Sequence, residues 1–291
     1  MSYVAPVKDM LFCMKELAAL EEVAKIPAYE DAGLDTAQAV LEECAKFTEG
    51  VLAPLNWEGD KNPSSFKNGV VTTTPGFKDA FRQFGEGGWQ GLQHPADFGG
   101  QGLPKTIGAA CIEMINSANM SFALCPLLTD GAIEALLTAG SEAQQALYLP
   151  KMISGEWTGT MNLTEPQAGS DLAMVRTRAE PQPDGSFKIF GTKIYITYGE
   201  HDMASNIVHL VLARVVGAPE GVRASAFSSY RNSRCMPTAV WASATTRIAS
   251  ASSTSWASKP ARRRCFSLAT TAVRWASSSV KKTTAWSTCS S

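Results

Sequence analysis

From Arg223 to Ser291 the chain contains no Gly, no Asp and no Glu; Gly221 is the last glycine and Glu220 the last acid. At ordinary usage a stretch of that length holds roughly five glycines and on the order of eight acids. It carries instead 17 Ser, 13 Ala, 9 Thr, 8 Arg, 3 Lys and 4 Trp, with no apolar period of useful length. Flexible linkers are rich in Gly and Ser, and disordered tails are poor in aromatics. Trp241, Trp256, Trp275 and Trp286 scattered among Ser and Ala match neither. Residues 223–291 are therefore expected to be a non-native, disordered tail, and fold and function are to be read from residues 1–222.

Out-of-frame translation of a GC-rich gene explains such a mixture. Arg223 to Ser233 can be back-translated so that one added base regroups the codons into KGISLFIVPKF, an apolar, strand-like run. Arg247 to Arg264 regroup in the same way into HCVSIEHKLGIKASPTA. The expectation is a one-base change of frame near Val222. On that reading the run Arg262, Arg263, Arg264 is a frame artefact and not a basic recognition patch.

The charge balance changes accordingly. The whole chain is near neutral, 26 Lys+Arg against 27 Asp+Glu, but residues 1–222 carry 15 against 27, a net of −12. An acidic body argues against nucleic acid as the partner. The opening MSYVAPVKDMLFCMKEL lacks the basic flank and long apolar stretch of a secretory signal. No uninterrupted apolar run approaches membrane-span length. Cys13, Cys44, Cys111 and Cys125 lie far apart with no metal-ligand spacing, so reduced thiols and a cytoplasmic setting are expected. His201 and His209 have no third ligand nearby in the sequence, and no metal is expected.

Periodicity divides the body near Gly155. In residues 37–54, Val40, Leu41, Cys44, Phe47 and Val51 fall on one face at steps of three and four, which predicts an amphipathic helix. Pro75, Gly76, Phe77, Ala80 and Phe81 open a second, ended by the glycines at 85–88. A third starts near Pro104. The run SFALCPLLTDGAIEALLTAG after Met120 suggests a buried helix pair, and Ser141 with Gln144 forms a capping-box pattern opening the next helix. The glycines at 98–102 follow no strand and read as a loop, not a phosphate cradle.

From Trp157 the pattern is strand-like: WTGTMNL, VRTRAEP, SFKIFGTKIYIT and NIVHLVLARV, with Pro183 to Ser186 as a hairpin turn. The expected class is α+β: an N-terminal extension (1–36), a helical domain (37–156) and an incomplete antiparallel β-barrel (157–222). Sheet edges left unpaired by the break are aggregation liabilities.

The chemistry concentrates in MNLTEPQAGSDLA, residues 161–173, and in GTKIYITYGEHD, residues 191–202. Thr164 and Ser170 supply hydroxyls, Gly169 permits close backbone approach, and Asp171 can cap the following turn. Such an array suits a planar, hydrogen-bonding ligand; it equally suits an ordinary polar loop between strands.

LTEPQAGSD closely resembles the signature of the acyl-CoA dehydrogenase family, T-E-P-x-A-G-S-D, and TKIYIT resembles its K-x-W/F-I-T strand. HPADFGGQGLP is similar to the family's P-x-x-x-G-G-x-G segment, so the likeness covers most of 37–222. The resemblance implies a flavoprotein of helical domain, β-barrel and C-terminal helical bundle, usually oligomeric, with FAD between barrel and bundle. A glutamate from that bundle takes the α-proton of an acyl-CoA thioester while the β-hydride goes to the flavin. Electron-transfer flavoprotein commonly reoxidises it.

Carried onto this chain, the likeness implies that Leu163 and Thr164 meet the isoalloxazine edge through backbone and hydroxyl. Thr197 donates near the O4/N5 side, Tyr195 stands where the family has Trp or Phe, and Ser170 faces the CoA arm. Glu165 reads as structural, because the family's base lies in the bundle, which has no counterpart in this sequence. Asn162 and Met174 depart from the commonest small residues at the signature's ends and suggest a divergent branch; the family likeness alone implies that such a branch acts on a short or sulfur-bearing acyl-CoA. The expectation is a dehydrogenase by lineage whose present polypeptide is inactive. The alternative is a non-catalytic binding protein of the same fold, like the DNA-binding alkylation-response relatives.

Overall fold

The structure, a computed structural model, describes residues 3–68, 70–183, 186–216, 225–231 and 268–274. The frame junction at Val222, the Arg262–Arg264 run and the centre of the expected hairpin turn lie outside the described residues. Helices come first: α1 (Val7–Phe12), α2 (Leu20–Val23), α3 (Leu34–Phe47) and α4 (Ala53–Lys61). A small antiparallel hairpin, β1 (Ser65–Lys67) and β2 (Val70–Thr72), precedes α5 (Phe77–Glu86), α6 (Lys105–Ala118), α7 (Met120–Ala139) and α8 (Glu142–Ile153). The segment 1–36 contributes Met10, Met14 and Leu20 to the same buried core as α3, α5 and α6.

α3 and α4 run on through a π-helical turn at Thr48–Leu52, so the helix predicted over 37–54 starts earlier and extends further. Pro54 has no N–H to return to the preceding turn, and a widened turn accommodates that loss. In α5 the spacing of Phe77, Phe81 and Phe84 puts all three rings inward, where Phe122 of α7 meets them at centroid distances of 5.7, 6.2 and 6.1 Å. Each ring contributes on the order of 1.5–3 kcal/mol by leaving water.

The run after Met120 forms one helix rather than a pair. Pro126 sits inside α7, yet Phe122, Ala132 and Ile133 remain buried along one continuous face, so packing overrides the break that proline suggests. α7 is long and apolar enough to cross a membrane by composition, with mean hydropathy 1.4. Here it is a core helix, and Thr129 on it accepts the Gly159 N–H at 3.1 Å. A Cβ on Gly159 would stand 2.5 Å from the Ala132 Cβ, so only glycine lets the helix lie this close to the sheet.

The capping box at Ser141 is complete: Ser141 Oγ accepts from the Gln144 N–H and the Gln144 side chain accepts from the Ser141 N–H. Beside it, Gln145 Nε2 donates to the carbonyls of Leu136, Leu137 and Gly140, closing the α7–α8 corner.

The sheet contains β3 (Trp157–Asn162), β4 (Arg178–Pro181), β5 (Ser186–Gly191), β6 (Asn206–Val215), β7 (Ser225–Arg231) and β8 (Leu268–Arg274) in the order β3-β6-β4-β5-β8, with β7 also on β6. The α+β plan stands, with helices followed by a partial barrel. Its pairing is mixed rather than purely antiparallel: β4 and β5 form the antiparallel hairpin, while β3 and β4 both run parallel to β6. A tight turn imposes antiparallel pairing only on the strands it joins; a long excursion leaves the direction open.

Within 223–291, expected to lack regular structure, β7 pairs antiparallel with β6 and β8 with β5. An unpaired strand edge presents backbone groups that any extended segment can satisfy, whatever its side chains.

Candidate functional site

The strand predicted through Thr197 ends at Gly191. A Cβ there would fall 2.1 Å from Thr177 Oγ1, and the chain then leaves the ladder. Residues 192–198 instead cross to the loop that follows β3. Ile194 N–H donates to Thr164 O at 3.0 Å, and Lys193 Nζ donates to Leu163 O at 2.9 Å and to Glu165 Oε1 at 2.8 Å. The two signature segments are thereby stitched edge to edge.

Glu165 is the hub of this junction. It is 3% exposed and Lys193 is 0% exposed. The carboxylate also accepts from the Arg176 N–H at 2.7 Å, the Thr177 N–H at 3.0 Å and Gln167 Nε2 at 2.6 Å. Burial on its own raises a carboxyl group, but these donors, Lys193 foremost, overcome it and hold Glu165 at about 2. Burial pulls the Lys193 ammonium down and the Glu165 charge opposes that pull. A carboxylate with four donors and so low a pKa is a fastening, not a base.

Leu163, Thr164 and Thr197 are half-buried, Ser170 is exposed, and Tyr195 is 55% exposed with φ of 59°. The stitching brings Leu163 and Thr164 beside Ile194 and hence beside Tyr195. Ser170 lies on the outer turn of the same loop, whose end is closed by Asp171 accepting the Ala173 N–H at 2.9 Å. Met161 and Met174 are also well exposed, both in or next to the signature. Exposed apolar side chains and hydroxyls thus occur along the two segments that the Lys193–Glu165 seam holds together.

Behind β3 lies a second buried polar layer that sequence reasoning did not identify. His201 Nδ1 accepts the Met203 N–H at 3.1 Å, which leaves Nε2–H to donate to Thr158 Oγ1 at 2.9 Å. Thr160 Oγ1 donates to Asn162 Oδ1 at 2.9 Å and therefore accepts from His209 Nδ1 at 2.6 Å. Burial lowers His201 to about 4 and His209 to about 3, so both rings are neutral. Among the described residues no group of three or more His, Cys, Asp and Glu converges as a metal site.

Residues 35–156 match the profile of the acyl-CoA dehydrogenase N-terminal domain. Over 223 residues, 77% of this chain, the sequence is 55% identical to the 3-methylmercaptopropionyl-CoA dehydrogenase of Ruegeria pomeroyi, covering 38% of that protein. The chain belongs to the acyl-CoA dehydrogenase family. The butyryl-CoA dehydrogenase of Syntrophomonas wolfei is 38% identical over 226 residues, 76% of this chain and 37% of that protein. In fold, the chain is similar to an acyl-CoA dehydrogenase from Bacillus anthracis solved with FAD, with a TM-score of 0.57 at 21% identity, covering 82% of this chain and 36% of that one. The chain thus spans well under half the length of the curated relatives it matches. The matched length is close to the 222 residues that precede the compositional break.

Lys193 and the two histidines were missed because their roles depend on long-range partners. A Lys and a Glu held within two otherwise apolar or small-residue motifs were the available signal for the pair.

Proposed function

We propose that the two stitched segments of this acyl-CoA dehydrogenase family chain form the flavin-facing wall of such a site, and that their ligand is FAD. The observation that carries this reading is the stitching of Leu163–Glu165 to Lys193–Ile194, which brings Leu163 and Thr164 beside the segment that holds the exposed Tyr195 and, two residues on, Thr197. A planar aromatic heterocycle with polar edges fits that combination. The carbonyls of Leu163 and Thr164 are spent on the seam, so ligand contact falls to their N–H groups and to the Thr164 hydroxyl. Thr197 serves the opposite edge, Tyr195 stacks, and Ser170 faces the CoA arm.

Bound FAD would supply the hydride acceptor for α,β-desaturation of an acyl-CoA. The chain's own residues orient the ring and keep one face dry. Of the acids in the 161–173 segment, Glu165 is fastened and Asp171 caps a turn, so neither is placed to abstract a proton. Proton abstraction needs a base aligned with substrate and acceptor, and we infer that this polypeptide alone does not turn over.

A short, sulfur-bearing acyl-CoA is the substrate class of the lineage, supported by 55% identity to a relative of that name. Electron-transfer flavoprotein is the electron acceptor, and the assembly is homo-oligomeric, on the resemblance alone. The free thiols Cys13, Cys44, Cys111 and Cys125 support a cytoplasmic setting.

The test is titration of the purified full chain with FAD, read by flavin fluorescence, followed by dye reduction with 3-methylmercaptopropionyl-CoA. Saturable quenching that Thr164→Ala and Thr197→Val weaken supports the site. Absence of quenching overturns the flavin reading, and dye reduction overturns the inactivity.

A further inference from the structure

Thr197 is bracketed by two bulky residues in the left-handed region, Tyr195 at φ 59° and Tyr198 at φ 51°. Such a backbone is unfavourable for side chains with a Cβ and persists only where the surroundings over-determine it. Upstream, the Lys193 seam supplies that constraint. Downstream, the constraint comes from the other domain.

Tyr198 is 3% exposed and belongs to the buried cluster of the helical domain, with Met203, not to the clusters of the sheet. Its hydroxyl donates to Ser121 O at 2.5 Å. Ser121 lies in the first turn of α7, which is itself fixed by Asn119 Oδ1 accepting the Phe122 N–H at 3.0 Å and Asn119 Nδ2 donating to Leu52 O at 3.1 Å. The Tyr198 ring meets His201 edge-on, with centroids 5.7 Å apart at 74°, and His201 is held in turn by Thr158 on β3. One side chain therefore pins the Thr197 turn to the start of a rigid helix on one side and to the sheet's polar layer on the other.

We propose that Tyr198 is a positioning residue: anchored in the helical domain, it holds the left-handed turn that presents the Thr197 hydroxyl to a planar ligand. The identity of that ligand rests on the flavin reading above; the anchoring does not.

The experiment uses the full chain, wild type and the variants Tyr198→Phe and Tyr198→Asn, with amide hydrogen exchange measured with and without FAD. Tyr198→Phe keeps the ring and removes the tether; Asn tolerates the left-handed turn but loses the anchor. Both are expected to accelerate exchange about 5–10-fold in the segment 196–199 while β3, β6 and α5 exchange as in wild type. Bound FAD is expected to show a shifted absorption band and about 5–10-fold weaker binding in Tyr198→Phe.

Wild-type exchange in Tyr198→Phe overturns the proposal. So does acceleration spread evenly over the sheet, or failure of both variants to fold, since either marks Tyr198 as general packing. If wild type binds no FAD, the flavin reading falls, while local exchange still decides whether Tyr198 sets the turn.

Discussion

The helical domain and the sheet domain both have apolar cores, but they differ in how much buried polar chemistry accompanies them. Around α5 the interior is aromatic, with Phe77, Phe81, Phe84 and Phe122 in mutual contact. Around β3 the apolar clusters are joined by a polar layer, with Glu165–Lys193, Thr158–His201 and Thr160–His209 all buried. The helical domain has its own polar pair, buried His94 Nε2 on half-buried Asp130 Oδ1 at 2.8 Å, but that pair lies outside the aromatic cluster. Apolar contacts tolerate small shifts, whereas a satisfied polar network admits one arrangement. The polar interior stands where two loops must keep a fixed relation, and the aromatic one where only bulk must be filled.

The contrast is tested most severely by truncating one interior of each kind. Phe122→Ala should cost about 4 kcal/mol in urea unfolding, the range for an aromatic-to-alanine change in a packed core. Lys193→Met should cost about 3 kcal/mol, because it leaves a buried carboxylate without its cation. If the double variant Lys193→Met, Glu165→Gln stays as unstable as the single one, charge pairing is not what holds the seam.

Acid should separate the two domains. Glu165 has a folded pKa near 2 against an ordinary 4.5, so its stabilisation is present above about 4.5 and is lost as pH falls toward 2. His201 and His209 are depressed to about 4 and about 3 from 6.5, so the unfolded chain takes protons first and stability falls as pH drops below 6.5. All three act in the same direction and all lie in the sheet domain. Hydrogen exchange between pH 7 and pH 4 should show β3 and β6 losing protection before α5 and α6; equal loss would break the comparison.

The smallest effect is expected at the α7–α8 corner, where Ser141→Ala should cost about 1 kcal/mol by removing one cap. Thermal unfolding resolves a change of that size.

How much of this was legible follows the same division. The α5 face, the Ser141–Gln144 cap and all ten residues of β6 could be read from local spacing, because period and capping are properties of neighbours in sequence. The extent of the α3–α4 helix and the continuity of α7 could not, since Pro54 and Pro126 are absorbed by packing that no local rule contains.

The two signature segments were recognised by likeness, but the period-two reading carried TKIYIT onward as a strand. What removes Lys193 from the ladder is Glu165, 28 residues away, together with the crowding of Gly191 against Thr177. Tyr198 was invisible for the same reason: its partner Ser121 is 77 residues distant. Parallel pairing of β3 and β4 on β6 likewise depends on connections whose course the strands themselves do not encode.

The corner closed by Gln145 has a kinetic consequence. Its three carbonyl acceptors and the adjoining cap all lie within nine residues, so the α7–α8 hairpin can form with almost no loop-closure entropy, ahead of the long-range pairing of β3 with β6. Because Gly159 seats β3 directly on α7, that hairpin is the template on which the first strand is laid.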